Sequence, residues 1–80
     1  MANQDDATRV RWLLHELCTR LGFCDALRDP GTFERLVPAG IDAFTDAVLV
    51  AEGLDPCRDR DLRRMVREVV ARRFEAWGRA

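Results

Sequence analysis

Lysine, serine and tyrosine do not occur in this chain of 80 residues, and Ile41 is its single isoleucine. Each absence closes a route to function. Without lysine there is no Walker-type phosphate loop and no Schiff-base chemistry. Without serine there is neither a serine nucleophile nor a serine-anchored carrier arm. All thirteen basic residues are arginine, a pattern that matches a high-GC coding bias, so arginine in place of lysine carries little functional weight. No run of 18 uncharged apolar residues is present, and no segment is expected to span a membrane. The polar, acidic start over residues 1–6 does not read as a signal peptide, which makes the cytosol the expected compartment. No segment alternates apolar and polar residues with the period of a strand.

What is present points to helices. An apolar fraction of 48% with 34% charged residues is that of a globular chain, not a disordered one. Its length suits one domain, near the lower limit for a fold held by a hydrophobic core alone. Val10, Leu13, Leu14, Leu17 and Leu21 form one helical stripe, and Leu62, Met65, Val66, Val69 and Val70 form another. A third stripe lies between them, carried by Ile41, Phe44, Val48 and Ala51. The reading is all-α: a small bundle of three main helices at about 6–21, 38–52 and 59–77, with a short extra helical turn between the first two.

Punctuation fits that plan. Asp5 or Asp6 can cap the first helix, and Gly22 can close it. Residues 23–29 add a loose turn that folds Phe23 and Leu27 back on the core, and Asp29-Pro30-Gly31 signals a break. Thr32 then caps a short turn carrying Phe33, Leu36 and Val37, and Pro38 suits the first turn of the next helix. Gly53 and Leu54 are placed for a Schellman stop, and Asp55 or Asp59 can cap the last helix, which reaches Trp77 before Gly78.

The apolar residues over-fill these helices. Leu49 and Val50 lie opposite the stripe of their own helix, and Trp12 points away from the stripe of its helix. Tryptophan is enriched at the energetic centres of interfaces. Trp12, Leu49 and Val50 are therefore the expected protein interface, and a homo-oligomer built on that patch is the expected assembly. The competing expectation makes the middle helix central, with residues 23–37 covering its back.

A second candidate is the arginine face of the last helix, formed by Arg60, Arg63, Arg64 and Arg67. Residues 55–80 carry a net +3 against −4 in residues 1–54, so this face could grip nucleic acid or an acidic partner. Acids four residues away (Asp59 to Arg63, Glu68 to Arg64 and Arg72) are expected to neutralise it. A sequence pI near 5.7 is also far from a nucleic-acid footprint. In a helix-turn-helix arrangement, Pro56 would fall where the recognition helix needs an apolar core residue. Arg73 breaks the core line of its own helix and is expected to pair with an acid of the middle helix such as Glu52.

His15, Cys18, Cys24 and Cys57 are weak candidates for zinc, because the spacing of Cys18 and Cys24 is wider than structural sites use. Three separate reduced thiols are the expectation. With one histidine and no carboxylate pair that can be placed in a pocket, no catalysis, cofactor or small-molecule substrate is expected.

Overall fold

The computed structural model describes residues 2–79, with side chains from Asp6 to Arg79. Helix α1 (Ala2–Leu21) leads through a 3₁₀ turn (Asp25–Arg28) to helix α2 (Pro30–Leu36). A second 3₁₀ turn (Val37–Ala39) then enters helix α3 (Ile41–Ala51), and helix α4 (Arg60–Ala76) completes the chain. No strand occurs among the described residues, and the protein is all-α. The loose turn expected over residues 23–29 is a 3₁₀ turn at Asp25–Arg28, whereas the short extra helical turn expected after it is a seven-residue helix followed by a second 3₁₀ turn. No described helix is long and apolar enough to cross a membrane.

Local chemistry explains the boundaries. Helix α1 starts four residues earlier than its acidic cap predicts, so Asp6 lies inside it and its carboxylate meets Arg79 at 3.5 Å. The side chain of Asp5, the other predicted cap, lies outside the described residues. At the other end Gly22 takes φ +76°, a conformation that suits glycine. Its N–H donates to Cys18 O (3.0 Å) and that of Phe23 to Leu17 O (3.2 Å), which turns the chain back.

Asp29, not Thr32, caps α2. Its carboxylate accepts from the Thr32 hydroxyl (2.6 Å) and the Thr32 N–H (3.4 Å), and Pro30 opens the helix without needing a partner for its nitrogen. Those two bonds hold the Asp29 carboxyl below its ordinary pKa. Helix α3 begins at Ile41 because Pro38 belongs to the 3₁₀ turn, and Gly40 resets the backbone at φ +102°. Its stop is the predicted Schellman pair, Leu54 N–H to Leu49 O (2.9 Å) and Gly53 N–H to Val50 O (3.0 Å). Asp59 precedes α4, but its carboxylate accepts from the Asp55 N–H (3.0 Å) and so closes the preceding turn.

Helix α3 is the central element, packed against α4, α2 and both 3₁₀ turns, while α1 closes over α2, the first turn and α4. Val66 and Val69 of α4 share one buried cluster with Leu14, Leu17, Phe44 and Val48, as their stripes predict. A row of aromatic rings runs through it, from Phe33 to Phe44 (5.2 Å between centroids), Phe44 to Phe74 (5.5 Å) and Phe74 to Trp77 (5.2 Å). Met65 and Ala51, counted with the stripes, are exposed; the buried face of each helix is narrower than its apolar pattern.

Candidate functional site

The expected patch of Trp12, Leu49 and Val50 does not exist as one surface. Leu49 is completely buried, because α2 and the 3₁₀ turns cover the back of α3. Its neighbour Val50 is 63% exposed and Trp12 is 62% exposed. The covered-helix expectation therefore holds for Leu49 and fails for Val50.

Trp12 stands at a groove of about 560 Å³ together with Arg11, His15, Leu27 and Pro30. One wall is the outer face of α1. The other comes from the first 3₁₀ turn and the first residue of α2. The imidazole of His15 meets the Trp12 indole edge-on, with ring centroids 6.4 Å apart and planes at 76°. An indole beside two aliphatic side chains, with a guanidinium and an imidazole next to it, can take up an apolar group and a neighbouring charge together. Leu27 was legible only as a core contact and Pro30 only as part of the break at Asp29-Pro30-Gly31; nothing in their spacing places them opposite Trp12.

The far wall is held in two ways. The carboxylate of Glu52 reaches back from the end of α3 to accept from the N–H groups of Asp25 (2.8 Å) and Ala26 (3.3 Å). It therefore satisfies the first donors of the 3₁₀ turn that carries Leu27, as a capping side chain would. Cys18 and Cys24 also form a disulfide across the bend at Gly22, with their Cα atoms 4.3 Å apart. The expected three separate thiols are thus one disulfide and the exposed Cys57. The bend brings residue 24 back beside the last turn of α1, a proximity that sequence spacing alone does not reveal. No group of three potential metal ligands gathers among the described residues, and His15 faces the groove.

The arginine face is neutralised by a different route from the one expected. Arg63 Nε donates to Asp46 Oδ1 at 2.7 Å, and Arg63 Nη2 lies 3.3 Å from Asp42 Oδ1. Arg67 Nε donates to the same Asp42 oxygen at 2.8 Å. The partners are acids of α3 in place of Asp59, which precedes α4. Arg67 and its charge, followed by Arg63, hold the Asp42 carboxyl below its ordinary pKa. Asp46 in turn pushes the Arg63 guanidinium up. Arg60 and Arg64 stay exposed, Arg64 only 4.0 Å from Asp61.

Arg73 pairs with Glu16 of α1 at 2.7 Å and not with Glu52, which the 3₁₀ turn occupies. It closes the edge of the core between the first and last helices.

No family model, no curated protein and no solved structure matches this chain.

Proposed function

We propose that this protein is a small helical module that acts by binding protein, a second copy of itself included, and that Trp12 is the centre of the contact. The observation that carries the reading is a large aromatic side chain, 62% exposed, at an apolar groove whose far wall is pinned by the hydrogen bonds to Glu52. A rigid groove loses little entropy when it is filled, which favours binding. Val50 adds a second exposed apolar point in the last turn of α3. The reading includes no catalysis, because the one histidine is turned edge-on to Trp12 and no carboxylate among the described residues lines the groove. The compartment we propose is the cytosol, where the Cys18–Cys24 pair is a dithiol unless it is oxidised.

Nucleic-acid binding on Arg60–Arg67 is the weaker reading, since Arg63 and Arg67 already direct donors at Asp42 and Asp46. Light scattering from micromolar to millimolar protein tests the main reading. The expected result is a mass above that of the 9.2 kDa monomer, returning toward it in Trp12→Ala with helicity unchanged. A Trp12→Ala protein that is folded and assembles as before would remove Trp12 from the contact.

A further inference from the structure

Cys18 and Cys24 are six residues apart, and the bend between them is shaped by bonds that do not involve sulfur. The Gly22 N–H donates to Cys18 O (3.0 Å), that of Phe23 to Leu17 O (3.2 Å) and that of Leu27 to Cys24 O (3.2 Å). Just beyond Cys24, the Glu52 carboxylate accepts from the N–H groups of Asp25 and Ala26. Leu17 and Ala26 are buried, and Leu21, Phe23 and Leu27 pack against the core. Backbone bonds and apolar contacts thus hold both cysteines in place on either side of Gly22. Cys24 is exposed and Cys18 half-buried, so one sulfur of the pair is open to attack from solvent. The Cys24 sulfur also lies 3.8 Å from Cys18 O, a carbonyl that its thiol can reach when the disulfide is open. The same backbone suits the closed and the open pair.

We propose that Cys18 and Cys24 are a reversible redox pair that exchanges its disulfide with an external dithiol while the fold stays intact. A thiolate of the dithiol attacks Cys24 Sγ; the Cys18–Cys24 bond breaks, a mixed disulfide forms, and Cys18 leaves as a thiolate that takes up a proton. The second thiolate of the reductant then attacks its own sulfur in the mixed disulfide and releases Cys24, which is protonated in turn. Two electrons and two protons pass to the pair, and the reductant departs as a disulfide. The reverse steps close the pair when an oxidised thiol compound accepts the two electrons. Two general considerations favour this role. A disulfide across a short loop constrains the unfolded chain least, and exposed disulfides are the ones that exchange. Because the bend keeps Cys18 beside Cys24, reclosure is an intramolecular step between groups already in position.

Alkylation of the native chain followed by intact mass measurement counts its free thiols. One is expected without reductant, that of Cys57, and three after treatment with dithiothreitol. The far-ultraviolet circular dichroism is expected to be the same in both states, and transfer to a glutathione redox buffer is expected to restore the count of one. With oxidised glutathione, Cys24 in Cys18→Ala is expected to form its mixed disulfide several-fold faster than Cys18 does in Cys24→Ala, as read by peptide mass. If either variant fails to fold, acid-trapping of the wild-type mixed disulfide identifies the attacked sulfur instead. A pair that opens only in denaturant overturns the proposal. So does a loss of helicity on reduction, which would make the bond a staple of the fold, or a reduced pair that does not reclose in glutathione. Equal rates in the two variants, or a faster Cys18, overturn the assignment of Cys24 as the sulfur attacked.

Discussion

Thr45 is wholly buried in α3 and its hydroxyl has no hydrogen-bond partner. A buried hydroxyl left without a partner costs about 1–3 kcal/mol, and valine keeps nearly the same outline without the polar atom. Thr45→Val is therefore expected to stabilise the protein by about 1 kcal/mol, raising the thermal midpoint by roughly 4–8 °C for a domain of this size. A thermal melt reads this directly, and a lower midpoint would mean that the hydroxyl is bonded in solution. Leu49 and Val50 make a related point. One is fully buried and the next is 63% exposed, although both stand outside the main stripe of α3. Successive residues on a helix are about 100° apart, so the edge of a covering element can fall between them. Only the position of α2 and its flanking turns decides which neighbour is covered.

Helices α3 and α4 run antiparallel along a clasp in which Asp46 meets Arg63 and Asp42 meets both Arg63 and Arg67. The Asp42 pKa is lowered, chiefly by the bond from Arg67, so its contribution to stability is present above the unfolded value of about 3.9 and is lost as pH falls through the lower folded value. Urea unfolding of the wild type and Asp42→Asn across a pH series is expected to show a gap near neutrality that closes below about pH 4. A gap independent of pH would assign the effect to packing. The period and length of the helical stripes made the all-α class legible, as glycine and its flanking residues did for the stops at Gly22 and Gly53. The clasp was not legible, because the intrahelical spacing of Asp59 to Arg63 is visible in one dimension whereas Asp42 and Asp46 approach only once α3 and α4 pack. The start of α2 was misplaced for a smaller reason: Asp29 and Thr32 are both capping residues, and Pro30 between them favours the earlier one. The groove was half legible. Trp12 declared itself by facing away from its stripe, while its opposite wall depends on the bend at Gly22.

Across the whole molecule, the last helix holds the others together. Arg73 reaches Glu16, 57 residues earlier in the chain, and Val66, Val70 and Phe74 are buried in the same cluster as residues of α1 and α3. Burying a side chain of this size contributes about 1.5–3 kcal/mol, while a domain of this length has only about 3–5 kcal/mol in total. Val66→Asp is therefore expected to unfold the protein, since a buried carboxylate adds a desolvation cost to the lost packing. Arg67→Asp, one residue along, removes a partner of Asp42 and sets like charges together. It is expected to stay folded with a smaller loss that added salt reduces. Circular dichroism of the two variants checks the assignment of the faces of α4, which a folded Val66→Asp would contradict. The two tryptophans divide the molecule in another sense. Trp77 lies against Phe74 at the end of the aromatic row, and Trp12 stands 62% exposed at the groove. With no tyrosine in the chain to blur the signal, intrinsic fluorescence has two emitters in two environments: Trp77 responds when the core melts, and Trp12 when something covers the groove. Single-tryptophan chains with phenylalanine at the other position would let folding and docking be followed separately, by colour, in an otherwise unlabelled protein.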